Sequence, residues 1–176
     1  FATQEARFPD IKPGVEKRVV WAGNAGQKTD LAIVYIHGFM ASSEEMRPLP
    51  DQIAAHYGAN LVFTRLAGHG RTGTALAEAC ELDWMRDTQE ALAVAHRIGR
   101  EVVLIGSSTG ATLLAAHAHS PEWMLQVKGL VLMAPNFGIK HCAARLLTWP
   151  GVRWWGPLLL GSHRVSVPYS AGHGYY

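Results

Sequence analysis

The sequence predicts an α/β fold in which a mostly parallel β-sheet is flanked by helices. Short apolar runs rich in β-branched residues alternate along the chain with longer stretches in which apolar residues recur at helical spacing. The apolar runs are near-continuous, which is typical of strands buried on both faces of a parallel sheet. The chain has 176 residues, 48% of them hydrophobic, and is therefore long enough to bury one core.

The N-terminal part of the chain is expected to contribute an arm, three strands and one helix. Residues 1–16 carry two prolines and little periodicity, so we expect an arm there. Strands are expected over residues 17–21, 31–36 and 61–66. Between the last two strands, Ser43 is expected to cap a helix that runs to Tyr57 and stops at Gly58.

The middle of the chain continues the alternation and contains the clearest helix. Apolar side chains recur at helical spacing over residues 83–98, and Gly99 is expected to end that helix. A strand, a helix and a further strand are then expected over residues 101–105, 109–119 and 127–133. After Pro135 the periodicity is lost, and tryptophan, glycine and proline become frequent.

Composition excludes several functional classes. The net charge is +2 and the basic residues are scattered, so no nucleic-acid-binding patch is expected. No apolar stretch reaches the roughly 18 residues of a spanning helix, so we expect no transmembrane segment.

Cys80 and Cys142 match no metal motif and are expected to be free thiols, and no metal or cofactor is implied. No signal peptide is visible, which favours a cytoplasmic location and leaves export and oligomeric state open.

A candidate nucleophile lies at the end of the fourth predicted strand. The segment Gly106-Ser107-Ser108-Thr109-Gly110 fits the G-x-S-x-G pattern, directly after a strand and directly before an apolar helix. A nucleophile on such a tight strand-to-helix turn needs small residues two positions away on either side. Ser107 fails this requirement because Ile105 and Thr109 flank it, whereas Ser108 meets it. The alternative interpretation is an ordinary Gly/Ser turn.

Two further motifs follow earlier strands. The strand over residues 31–36 runs directly into His37-Gly38-Phe39-Met40, and the next strand is followed by "RLAGHGRTG" at residues 65–73. Together with the G-x-S-x-G segment, these motifs resemble serine esterases and monoacylglycerol-lipase-like members of the α/β-hydrolase superfamily. Those proteins have a His-Gly loop, a Gly-His-Gly turn and the serine turn in the same order. The resemblance covers about residues 17 to 137.

The resemblance implies an α/β-hydrolase fold and hydrolysis of a small-molecule ester or lipid-like substrate. Ser108 is the implied nucleophile. A tetrahedral oxyanion needs two fixed N–H donors, and these would be the N–H groups of Thr109 and Phe39, with Met40 the next candidate after Phe39. His37 is expected to hold its loop by hydrogen bonds rather than to act as the general base.

A dinucleotide-binding oxidoreductase is an alternative from another class. Gly68, Gly70 and Gly73 also fit the G-x-G-x-x-G pattern after a strand. Two observations count against it. The segment after the glycines does not predict an immediate clean helix, and Glu101 lies at the wrong end of the next strand to bind a ribose.

The acid and the histidine that a serine nucleophile needs are not identified in the sequence. No Asp or Glu follows Glu122, and Asn136 stands where some relatives place the acid. His163 and His173 follow no predicted strand and are interpreted as loop histidines. The C-terminal strands of the fold are therefore expected to be missing from this chain, which alone is expected to be inactive.

The division of the chain follows from this interpretation. Residues 17–139 are expected to form the N-terminal part of the core, and residues 140–176 the start of a lid. The side chains expected to cover the site are Leu146, Leu147, Trp149, Trp154, Trp155 and residues 158–160. The alternative function is that of a catalytically inactive binding protein with the same fold.

Overall fold

The structure, a computed structural model, describes residues 1–138 and 149–160. The described residues fall into two units, one that ends at Pro135 and one that begins at Asn136. The first unit contains a five-stranded sheet with its flanking helices, and the second contains one helix. None of the helices in these ranges is long and apolar enough to span a membrane.

The sheet is mostly parallel, which confirms the predicted fold class. Its strands are β1 (Arg18–Val20), β2 (Thr29–Ile36), β3 (Asn60–Phe63), β4 (Gly99–Ser107) and β5 (Val127–Met133). They lie in the order β1-β3-β2-β4-β5, and β1 pairs antiparallel with β3 while the other neighbours are parallel. All five expected strands are present, and β3 ends three residues earlier than predicted.

Within the first unit, helices connect the parallel strands and lie on both faces of the sheet. They are α1 (Ala2–Glu5), a 3₁₀ helix (Ser43–Met46), α2 (Leu49–Tyr57), α3 (Gly73–Glu78), α4 (Glu81–Ile98), α5 (Thr109–His117) and α6 (Pro121–Met124). The helix of the second unit is α7 (Val152–Leu160). Alternate residues of β2 point to opposite faces. Val34 packs in a core cluster with α4 and α5, whereas Ile33 packs in a second cluster with α2.

The single helix expected from Ser43 to Tyr57 is wrong. Ser42, not Ser43, is the N-cap, and its side chain accepts a hydrogen bond from the N–H of Glu44 at the start of the 3₁₀ helix. Pro48 then interrupts the segment, because proline has no N–H and clashes with the preceding turn inside a helix. The helix resumes as α2, which ends as predicted at Gly58 with φ +56°.

The ends of other helices differ from the predictions by a few residues. Helix α4 begins at Glu81 because Asp83 accepts hydrogen bonds from the N–H and thiol of Cys80, which extends the N-terminus. Helix α5 ends at His117 rather than at residue 119. The short helices α1 and α6 were not predicted, and helices of four residues carry little periodicity to detect.

The order of the strands reverses at β2. The chain passes from β2 to β3 on one side, and β4 and β5 then lie on the other side of β2. The carboxyl ends of β2 and β4 are adjacent, with Ile36 paired with Gly106. Ligands of such sheets bind where the strand order reverses, outside the carboxyl ends of the strands. The loops after β2 and β4 are therefore the expected place for a site.

Candidate active site

Ser108 occupies a strained turn between β4 and α5. Its backbone has φ +47° and ψ −110°, a region that residues other than glycine rarely adopt. Its N–H donates to the carbonyl of Met133 at 2.9 Å, and its carbonyl accepts from the N–H and hydroxyl of Thr112 at 3.0 and 3.2 Å. Neighbouring elements thus hold the strained conformation from both sides.

The two glycines of the motif are required by close backbone packing. A Cβ on Gly106 would lie 2.7 Å from the N of Ala111, and a Cβ on Gly110 would lie 2.2 Å from the carbonyl oxygen of Ile36. The start of α5 therefore approaches the carboxyl end of β2 more closely than any side chain allows. This packing explains why small residues are needed two positions on either side of Ser108.

The His-Gly loop after β2 lies beside Ser108. A Cβ on Gly38 would be 3.3 Å from the Cβ of Ser108. Among residues 1–138 and 149–160, no acceptor is hydrogen-bonded to the N–H of Phe39, Met40 or Thr109. The N–H of Gly38, by contrast, donates to the Glu45 carboxylate at 2.7 Å. The sequence-predicted donors are thus unbonded N–H groups in the two loops that meet at this serine.

His37 connects the loop after β2 to the loop after β3. It is fully buried, and its Nε2 accepts a hydrogen bond from the N–H of Leu66 at 3.1 Å. Because that nitrogen accepts, the proton is on Nδ1, which donates to the carbonyl of Gly38 at 2.8 Å. Burial, with a smaller contribution from His69, lowers the pKa of His37 to about 3. Both ring nitrogens are occupied and the ring is neutral, so the expected role in holding the loop fits and that of a base does not.

The Gly-His-Gly loop packs closely against the chain itself at both glycines. A Cβ on Gly68 would lie 2.6 Å from the carbonyl oxygen of Ala75 in α3, and one on Gly70 would lie 2.7 Å from the side chain of Val15. In a dinucleotide fingerprint the backbone at such glycines approaches a pyrophosphate instead. One argument from the sequence was nevertheless wrong, because α3 begins at once at Gly73, with Thr72 as its N-cap.

Comparison with known proteins identifies the family to which the chain belongs. A sequence model of the family described as serine aminopeptidase, S33, matches residues 27–171. The chain belongs to this family. The fold is that of an α/β-hydrolase, as the sequence predicted. No curated protein sequence matches the chain.

Several solved structures share the fold of this S33-family chain. A structure of the metagenome-derived lipolytic enzymes LipS and LipT is 21% identical over 80% of this chain and 54% of that one, with a TM-score of 0.66. A soluble variant of monoglyceride lipase from Saccharomyces cerevisiae is 18% identical over 81% and 46%, with a TM-score of 0.56. Est1E from Butyrivibrio proteoclasticus, with ferulic acid bound, is 19% identical over 68% and 48%, with a TM-score of 0.54. The chain thus spans about half the length of these solved structures.

An aromatic cluster next to the S33-family serine turn was missed by sequence reasoning. The rings of Phe39, His69 and Trp84 lie 5.6 to 5.8 Å apart, and His69 also contacts His37 at 5.0 Å. The indole N–H of Trp84 donates to the carbonyl of Ala67 at 2.9 Å. The cluster joins both loops to α4. The available signal was an aromatic residue or histidine in the loop after each of β2 and β3, together with Trp84 in the first turn of α4.

The N-terminal arm also stabilises the Gly-His-Gly loop. Arg65 is buried and donates to both carboxylate oxygens of Glu5, at 2.9 and 2.8 Å. Lys17 pairs with Asp87, whose other oxygen accepts from the N–H of Ala67 at 2.6 Å. The arm and α4 together fix the loop that His37 bonds.

The structure brings no base to the candidate nucleophile within the described ranges. No histidine or carboxylate in residues 1–138 and 149–160 is hydrogen-bonded to Ser108. Asn136 is exposed. Five other residues considered from the sequence lie outside the described residues: Cys142, Leu146, Leu147, His163 and His173. Cys80 is exposed.

Proposed function

We propose that the protein is a serine hydrolase that acts on carboxylic esters, with Ser108 as nucleophile. The observation that carries the proposal is the strained, positive-φ backbone of Ser108, placed where the strand order reverses and beside Gly38. A residue is held in such a conformation only when the surrounding structure requires it, and such strain clusters at active sites. Membership of the S33 serine aminopeptidase family supports an acyl-transfer reaction.

In the proposed reaction, the Ser108 hydroxyl oxygen attacks the acyl carbonyl and its proton passes to a general base. The N–H groups of Phe39 and Thr109 donate to the resulting oxyanion, and the N-terminus of α5 adds a favourable dipole. Collapse of the intermediate releases the alcohol, and water then hydrolyses the acyl-enzyme. The base is expected to be a histidine oriented by a carboxylate, neither of which is identified in this chain.

Ester substrates are preferred over amides for two reasons. The first reason is that the similar solved structures include lipolytic enzymes and a monoglyceride lipase, although the shared family is described as an aminopeptidase.

The second reason is a proposed apolar lid. We propose that residues 140–176 begin a lid over a core formed by residues 17–139. The second unit carries large exposed apolar side chains at Trp149, Trp154 and Leu158, with 62%, 78% and 85% of their surfaces exposed. An apolar lid suits an acyl chain.

A second candidate function is that of an inactive binding protein with the same fold. One observation favours it: Asn136 stands after β5, where some relatives place the acid. A serine without a base is a weak nucleophile. For the same reason, the 176-residue chain alone is expected to show little turnover.

The test is hydrolysis of p-nitrophenyl esters by the full-length protein and its Ser108→Ala variant. The proposal predicts turnover that is lost in Ser108→Ala and retained in Ser107→Ala. An inactive full-length protein that nevertheless binds an ester analogue would support the binding function instead.

A further inference from the structure

Glu45 reaches the candidate oxyanion loop from the 3₁₀ helix that follows it. We propose that Glu45 is a positioning residue, which fixes the His37–Gly38 peptide so that the following Gly38–Phe39 peptide presents the Phe39 N–H to the oxyanion. This inference rests on the proposed function of Ser108 and deepens it. Glu45 touches neither nucleophile nor substrate in this role, since it acts through the backbone of the loop.

The contacts of Glu45 are short and converge on one atom. The Oε1 atom of Glu45 accepts hydrogen bonds from the Gly38 N–H and from the Tyr35 hydroxyl, both at 2.7 Å. A Cβ on Gly38 would lie 3.5 Å from the other carboxylate oxygen and 3.3 Å from the Cβ of Ser108. The carboxylate and the candidate nucleophile therefore both lie close to the position that a side chain on Gly38 would occupy.

The hydrogen bond to Gly38 decides which N–H of the loop remains available. Gly38 has no side chain to restrict its backbone. Glu45 fixes the peptide before it through the Gly38 N–H, and His37 fixes the peptide after it through the Gly38 carbonyl. With the Gly38 N–H directed at Glu45, the next N–H along the loop belongs to Phe39, and no acceptor in the described part of the chain bonds it. The ring of Phe39 is held on the other side by His69 and Trp84.

Tyr35 connects this arrangement to the serine turn. Its side chain is fully buried in β2, its hydroxyl donates to Glu45, and the side chain of Ser107 lies nearby. Burial and the adjacent carboxylate raise the pKa of Tyr35 well above its usual range, so the phenol stays a hydrogen-bond donor. The loop after β2 and the turn after β4 are thus fixed to each other through Glu45.

The geometry predicts which substitutions preserve the function. Because one oxygen accepts both bonds, the amide oxygen of Glu45→Gln can accept both as well, whereas Glu45→Ala can accept neither. Glu44 supplies a matched control, since it is a carboxylate in the same 3₁₀ helix. It pairs with Arg18 and Arg47 instead of the loop.

The experiment measures kcat and KM for a p-nitrophenyl ester in the full-length protein and these variants. Glu45→Ala should lower kcat on the order of 10²-fold with little change in KM, because a misplaced donor weakens only the transition state. Glu45→Gln should restore kcat to within about fivefold, since a neutral acceptor makes a weaker bond than a charged one. Glu44→Ala should behave like the unsubstituted protein. If Glu45→Ala does not fold, Glu45→Leu fills its volume without an acceptor and carries the same prediction.

Three kinetic results would overturn the proposal: equal kcat in Glu45→Ala and Glu44→Ala, a raised KM with unchanged kcat, or Glu45→Gln as slow as Glu45→Ala. Hydrogen–deuterium exchange of the Gly38 amide, followed by NMR, provides a readout that does not depend on activity. Exchange should accelerate on the order of 10-fold or more in Glu45→Ala and not in Glu44→Ala. If the protein shows no Ser108-dependent hydrolysis, the proposed function fails, while the exchange experiment still decides whether Glu45 holds the loop.

Discussion

Replacement of Gly110 by alanine tests whether α5 packs against β2 as closely as the serine turn requires. The added Cβ would lie 2.2 Å from the carbonyl oxygen of Ile36 and 2.7 Å from that of His37, whereas ordinary contacts begin at 3.4 Å. Both neighbours are backbone atoms at the end of a central strand, so a side-chain rotation cannot relieve the overlap. Either α5 moves away from the sheet or the end of β2 shifts.

The expected cost follows from the size of this overlap. Overpacking of a close-packed interior costs about 1–3 kcal/mol, and a backbone clash of about 1.2 Å belongs at the upper end. In a domain of this size, 1 kcal/mol changes Tm by about 2–4 °C, so Gly110→Ala should lower Tm by about 6–12 °C. Thermal unfolding followed by circular dichroism measures the change.

Gly129 in β5 provides the matched control. No atom lies within 4 Å of a Cβ built on it, so Gly129→Ala should change Tm by less than about 2 °C. If Gly110→Ala and Gly129→Ala unfold at the same temperature, α5 does not approach β2 as described. The explanation of the G-x-S-x-G spacing would then be wrong.

Two further predictions concern the arm and the proposed lid. Glu5→Gln should destabilise the protein by about 3 kcal/mol at pH 7, because it leaves the buried Arg65 guanidinium without its charged partner. Burial raises the Glu5 pKa, but hydrogen bonds from Arg65 and the Lys17 N–H outweigh it and hold the pKa below its usual value of 4.5. The stabilisation is therefore complete above pH 4.5 and is lost as the pH falls through the lower, folded-state pKa. Urea denaturation should show the gap between the two proteins narrowing in acid, and a gap independent of pH would contradict this. For the lid, kcat/KM of the full-length protein should rise from acetyl to medium-chain esters by up to about fourfold per methylene, until the pocket is filled. Trp154→Ala should flatten that trend, and the absence of any chain-length effect from C2 to C8 would remove residues 146–160 from the site.

Much of the fold was predictable because it depends on local patterns. Strands such as β2 are near-continuous apolar runs, and the amphipathic pattern of α4 is long enough to identify without tertiary information. The turn at Ser108 was predictable because backbone packing restricts Gly106 and Gly110 to glycine. This packing therefore produces a sequence pattern of five residues that can be recognised without tertiary information.

The features that were missed depend on contacts between distant parts of the chain. Glu5 and Arg65 are 60 residues apart, and nothing in either local segment indicates that they pair. The bond between Glu45 and the Gly38 N–H was equally hidden, because it requires the chain to turn back through the 3₁₀ helix. The sequence prediction for that segment was wrong, because it places the cap at Ser43 and continues a single helix through Pro48.

The most direct test of the account is labelling of the full-length protein with a fluorophosphonate probe, which reacts with activated serines. We expect a single modified residue, Ser108, to be identified by mass spectrometry of the labelled peptide. Labelling should be abolished in Ser108→Ala and retained in Ser107→Ala, because among the serines of residues 1–138 and 149–160 only Ser108 combines the strained turn with the neighbouring unbonded N–H groups. Labelling that survives Ser108→Ala, or that moves to Ser107, would contradict the assignment of the nucleophile.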